Sequence, residues 1–132
     1  MQITQHFKFS EFVNSEVADK EGIRNVPDFI QYKNILELAQ NMERIRGLFS
    51  GEGIKITSGY RSVALNKRVG GVAGSHHCEG YAADFILIGE TTVAEAFEII
   101  KSTIFNYDQL ILYPSFIHIS FAPSMRLQAW KA

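Results

Sequence analysis

Asp84 stands in the middle of an apolar run, Tyr81-Ala82-Ala83-Asp84-Phe85-Ile86-Leu87-Ile88. The run has the length and composition of a buried strand, and a carboxylate inside such a strand is costly unless an ion pair or a metal compensates it. Any fold of this chain must therefore bring a partner to Asp84. A histidine precedes it in Ser75-His76-His77-Cys78-Glu79-Gly80. Imidazole and carboxylate are both good zinc ligands, and a catalytic zinc centre uses three protein ligands and keeps one position open. A third donor is on offer in Phe116-Ile117-His118-Ile119-Ser120-Phe121, an alternating segment with one histidine at its centre. Period two puts Ala82, Asp84 and Ile86 on one face of their strand, and Phe116, His118 and Ser120 on one face of theirs. Each strand then offers one ligand-capable side chain to a common floor.

Further residues fall into a series with these. Ser58-Gly59-Tyr60-Arg61-Ser62 is followed by Leu65-Asn66 and Val69-Gly70-Gly71. Next come Ser75, His77, Gly80, Ala82 and Asp84 at the spacing S-x-H-x-x-G-x-A-x-D, and finally Ile117-His118-Ile119-Ser120. Together with the opening His6-Phe7-Lys8-Phe9-Ser10-Glu11-Phe12 and with Asn25-Val26-Pro27, the series resembles the zinc D-Ala-D-Ala carboxypeptidases of peptidase family M15, in particular its subfamily A, a group whose members include phage endolysins and phage-encoded peptidoglycan peptidases. The resemblance runs over nearly the whole chain. It implies a hedgehog/DD-peptidase-like fold with Zn²⁺ in a groove across a small sheet. It implies His77, Asp84 and His118 as the ligands, with His76 and Cys78 as bystanders despite the affinity of thiolate for zinc. It also implies that Arg61 contacts the substrate or the developing oxyanion and that Ser75 and Tyr60 help to hold the substrate, a peptidoglycan stem peptide.

The periodicity of the rest is compatible with such a fold. Ile35, Leu38, Met42, Ile45 and Phe49 recur at three- and four-residue steps, which predicts an amphipathic helix from Pro27 to Ser50. Val93, Phe97, Ile100 and Ile104 predict a second one over Thr92–Phe105. Ser10 and Ser15 are candidate N-caps of short helices near the start. Ile54–Ser58 and Ala82–Ile88 are expected strands, Arg61–Val69 a short helix, and Gln109–Tyr113 with Phe116–Phe121 a hairpin across Pro114-Ser115. Nothing is legible after Pro123. Helices followed by neighbouring strands give an α+β domain with a small antiparallel sheet and helices packed on it.

Length and composition narrow the function. With 132 residues the chain is a single domain, residues 1–132, and a hydrophobic fraction of 46% supports a core. A net charge of −1 leaves no footprint for nucleic acid or an anionic membrane. The single cysteine excludes an internal disulfide. The N-terminus has neither the basic start nor the apolar core of a signal peptide. The expectation is a monomer, cytoplasmic when made and without membrane insertion, that reaches the cell wall after release or as part of a virion.

The chemistry expected is hydrolysis: a zinc ion held by His and Asp activates water and polarises a carbonyl, and Arg61 is placed to stabilise the charge that develops. One departure stands out. Members of the family carry an acidic residue or a histidine a few positions before the last ligand, as general base. Here no carboxylate lies in Gln109–Ile117. Hairpin parity puts Gln109, Ile111 and Tyr113 on the zinc face and Asp108 on the other. Tyr113 is then the nearest polar candidate, a poor base at neutral pH but a serviceable hydrogen-bond donor, with Glu79 as a base from elsewhere. The alternative is a zinc-bearing but non-catalytic phage structural or wall-binding module.

Overall fold

The computed structural model describes Met1–Ala132. A 3-10 turn at Phe9–Phe12 is followed by α1 (Glu16–Glu21), α2 (Phe29–Arg46), β1 (Gly53–Ser58), α3 (Val63–Arg68) and a 3-10 turn at His76–Glu79. Then come β2 (Ala82–Ile88), α4 (Val93–Lys101), β3 (Gln109–Leu112), β4 (Ile117–Ser120) and β5 (Gln128–Lys131). The strands form one sheet in the order β1-β2-β4-β3-β5. No helix is long and apolar enough to cross a membrane.

Helix ends follow side-chain chemistry. Asp28 caps α2 by accepting from Gln31 N at 2.8 Å, so the helix starts two residues after Pro27. Ser15 caps α1, and Thr92 caps α4 through a reciprocal bond with Glu95. Ser10 lies inside its 3-10 turn and does not cap it. The expected helix from Arg61 begins only at Val63, because Ser62 takes the capping position and accepts from Leu65 N. Arg61 is thereby left outside the helix.

The two faces of the sheet have separate tasks. Ile54, Ile56, Ala83, Phe85, Leu87, Leu110, Ile117 and Ile119 join Ile35, Leu38, Ala39, Met42 and Ile45 of α2 and Ala96, Phe97 and Ile100 of α4 in one buried cluster. Alternation then sends Asp84 and His118 to the opposite face, and the ladder sets them directly across from each other. β1 crosses between faces. Ile56 pairs with Phe85, yet Ser58 pairs with Asp84, so β1 spends two residues where β2 spends one. This bulge turns Ser58, and the segment after it, away from the helices and towards Asp84.

The hairpin register is the expected one, with Ile111 opposite His118 and Leu112 opposite Ile117. The first four strands are antiparallel. The fifth corrects the all-antiparallel expectation: β5 runs parallel to β3, and the sheet is mixed. The chain leaves β4, bends around the start of β3 and returns along its free edge. With only Ala129 of β5 packed on the core and Gln128, Trp130 and Lys131 exposed, the strand carries no apolar alternation to read.

Candidate metal centre

His77, Asp84 and His118 lie together at the floor of a cleft of about 560 Å³, with one donor atom from each within 4.8 Å of the others. Each is placed by a different device. Asp84 and His118 come from adjacent strands in register. His77 comes from the 3-10 turn, whose start is closed by Ser75 Oγ accepting from His77 N at 3.2 Å. Two side chains of α2 fasten that turn: Gln31 Nε2 donates to the Cys78 carbonyl and Asn34 Nδ2 to the Glu79 carbonyl.

His77 Nδ1 lies 2.7 Å from the Gly59 carbonyl oxygen, which can only accept, so Nδ1 carries the proton. Gly59 is required here, because a Cβ at that position would collide with the Phe12 carbonyl. His77 Nε2 is then the free nitrogen, and it faces Asp84 Oδ1 at 3.2 Å. His118 Nδ1 approaches the same oxygen at 2.9 Å. A lone pair turned on a carboxylate oxygen is unfavourable unless a second proton or a cation stands between them. Burial alone would push the Asp84 carboxyl up, but the hydrogen bond from His118 and the two imidazoles set against it outweigh burial and hold the group below the usual carboxylate range. The donor set, two imidazoles and an ionised carboxylate, is one that zinc accepts.

Arg61 completes the first wall. Its Nη2 lies 3.6 Å from Asp84 Oδ2, Nε donates to Ser58 Oγ at 3.2 Å, and Nη1 donates to Asn66 Oδ1 at 3.2 Å. Asn66 is itself buried and donates to the Val72 carbonyl. A Cβ at Gly71 would collide with Asn66 Oδ1, so that glycine preserves the support of Arg61.

A model of the peptidase M15 family matches residues 5–120. The chain belongs to the peptidase M15 family. Among curated proteins, none matches it. M15 peptidases are metallopeptidases, and in this one the His77–Asp84–His118 cluster is the group able to hold the metal.

The structure brings most of the expected site residues of this M15 peptidase into one cleft and leaves others out. Arg61, Ser75, His77, Asp84, Tyr113 and His118 all line it. Tyr60 does not: its side chain is 5% exposed and packs in the hydrophobic cluster, because the residue after the bulge turns inward against Phe12. Glu79 is exposed at the far end of its turn and is absent from the cleft lining, which removes it as a base. Cys78 is half-buried outside the cluster, and burial pushes its thiol up. His6 is a surface residue paired with Glu43. Tyr113 stacks on Phe116 with ring centroids 4.6 Å apart, which steadies the phenol at the rim.

Asp108 corrects the parity expectation. It lies one residue before β3, outside the ladder, so alternation does not fix its side. Its fully buried carboxylate accepts from Ser124 Oγ at 2.7 Å, from Arg126 N at 3.0 Å, and from Arg126 Nε and Nη2 at 2.8 and 2.7 Å. It also lies 3.6 Å from Nδ1 of His76. His76 and Arg126 both line the cleft, opposite the Arg61 wall. The hydrogen bonds from Arg126, opposed by burial, hold the Asp108 carboxyl well below its ordinary range. No sequence signal marked this second wall. Arg126 sits in a tail without periodicity, and Asp108 is an acidic residue before a strand like many others.

Proposed function

We propose that this M15 peptidase is a zinc-dependent peptidoglycan hydrolase, phage- or prophage-encoded, that cleaves a peptide bond of the stem peptide, either at its D-Ala-D-Ala end or internally. The observation that carries the reading is the His77–Asp84–His118 cluster at the floor of a peptide-sized cleft, with the Arg61 guanidinium beside Asp84. Zinc bound there would supply a Lewis acid for the scissile carbonyl and activate a water. The chain's own residues do the rest. The Gly59 carbonyl fixes the His77 tautomer and leaves Nε2 for the metal. Arg61, braced by Ser58 and Asn66, faces the charge that builds on the carbonyl oxygen. The Ser75 hydroxyl accepts from His77 N and keeps its own proton for a substrate carbonyl. The Tyr113 phenol donates a hydrogen bond to the reacting group from the opposite rim.

A second reading has its own support. Asp84 is the only carboxylate in the cleft lining, so no second one is present to act as base. A zinc-bearing wall-binding module without activity fits that observation. Mass spectrometry of peptidoglycan fragments after incubation with zinc-loaded protein decides between the two. New peptide ends confirm hydrolysis and identify the bond; intact fragments with zinc still bound leave the binding module.

A further inference from the structure

The second wall of the cleft ends in a guanidinium fixed in place yet only partly used. Arg126 lies beyond residues 5–120, so the family match says nothing of it. Its side chain is 44% exposed and lines the same cleft as the three candidate ligands and Arg61. A guanidinium has five N–H donors. Asp108 takes one from Nε and one from Nη2, and Nη1 has no partner in the protein.

The backbone on either side is bent into conformations that side chains avoid. Met125 has φ 41° and Leu127 φ 55°, both in the left-handed region. Non-glycine residues held there are strained, and such strain gathers at ligand-binding sites. Here it is sustained by Asp108, which binds Arg126 through both main chain and side chain, and by Leu127 N donating to the Tyr107 carbonyl. A residue needed only as a counter-ion for Asp108 has no need of a rigid bend that presents its outer edge to the cleft.

We propose that Arg126 is the anion-recognition point of the cleft and receives a free carboxylate of the peptide ligand, while Arg61 serves the bond that is cut. The inference rests on the peptidase reading for the nature of the ligand. Planar, bidentate geometry suits a guanidinium to a carboxylate, and the bond to Asp108 removes the rotational freedom that an arginine ordinarily loses on binding.

The test is calorimetric titration of zinc-loaded protein with N-acetyl-D-alanyl-D-alanine and with the same dipeptide capped as its amide. Wild type should bind the carboxylate form about tenfold more tightly, the effect of one charge-assisted hydrogen bond. The double variant Arg126→Gln with Asp108→Asn, which removes the buried charge together with its partner, should lose that preference with zinc content unchanged. Arg126→Lys should keep part of it. Equal affinities in wild type, no binding of the carboxylate form, or a preference that survives in the double variant would each overturn the proposal and leave Arg126 as a counter-ion. Hydrolysis followed in the same samples keeps the two readings apart. Cleavage without carboxylate preference sinks the Arg126 assignment alone, and preference without cleavage keeps the Arg126 assignment and removes the D-Ala-D-Ala end as the bond that is cut.

Discussion

The two walls of the cleft are built on different principles. The wall from Ser58 to Asp84 is one continuous stretch in which a strand, a bulge, a short helix and a 3-10 turn set Arg61, Ser75, His77 and Asp84 in sequence. Its contacts are short-range or between neighbouring elements, and its residue types are dictated by position: glycine at 59 and 71 for close approach, and histidine at 77 for a donor whose other nitrogen meets a carbonyl. The wall of His76, Asp108 and Arg126 is joined only by tertiary contact, with a buried carboxylate drawing three segments together. A site written as a motif fixes chemistry; a site written as a charge pair fixes position.

The comparison breaks most severely at the floor. His77→Ala, Asp84→Asn and His118→Ala should each drop the metal content from about one ion per chain towards none, since a centre with two ligands left binds zinc poorly. His76→Ala should retain the ion, because the ring belongs to the other wall and lies outside the cluster. Elemental analysis of purified protein checks both, and the reverse pattern would move the ligand to the neighbouring histidine.

Arg61→Ala should leave the metal in place and lower turnover by about 10²-fold or more, as for loss of one oxyanion donor. The melting temperature should move by only a few degrees, because Asn66 keeps its bond to the Val72 carbonyl and Ser58 is only half-buried. A collapse in stability with zinc still bound would make Arg61 a structural counter-ion of Asp84.

Tyr113→Phe removes one hydroxyl and leaves the stack on Phe116 intact. Turnover should fall about five- to tenfold, the worth of one hydrogen bond. Rates equal to wild type would deny the phenol a chemical part. Turnover in Tyr113→Glu alone would mark the natural protein as a metal-binding relative that has lost its base.

Asp108→Asn sharpens the contrast between the walls with the smallest effect on chemistry: zinc content should not change, while stability at neutral pH should fall by about 2 kcal/mol through loss of a charged partner. Arg126 holds the Asp108 carboxyl below its unfolded pKa of about 3.9. The stabilisation is therefore complete above that pH and disappears as pH falls through the lower, folded value. Urea melts of both proteins from neutral to acid pH should show the gap between them closing below about pH 4. A gap that stays constant would show that the ion pair contributes nothing.

The first wall was legible because its constraints are local. Alternation alone placed Asp84 and His118 on one face, and the turn-forming Ser75 and Gly80 bracketed His77. The hairpin register also followed from the sequence, since a loop at Pro114-Ser115 sets Ile111 opposite His118. Tyr60 was misplaced because its substrate role came from the motif alone: after the bulge in β1 its backbone bonds to Phe12 and its side chain turns into the core. Asp108 was misplaced for a related reason, since strand parity stops at the first residue outside the ladder.

The sequence by itself determined the α+β class and the faces that Asp84 and His118 take, because periodicity acts over a few residues and leaves a direct imprint; the metal-capable triad and the arginine beside it were legible through the resemblance of their motifs to the M15 family. Only the tertiary structure decided the fifth strand, the company Asp108 keeps and the presence of Arg126 in the cleft. β5 is held by backbone hydrogen bonds to β3, which any side chains permit. The Asp108–Arg126 pair is made by a chain that bends around the start of β3. A charge pair across such a bend leaves no period in the sequence, and its energy comes from burial that exists only once the sheet has formed.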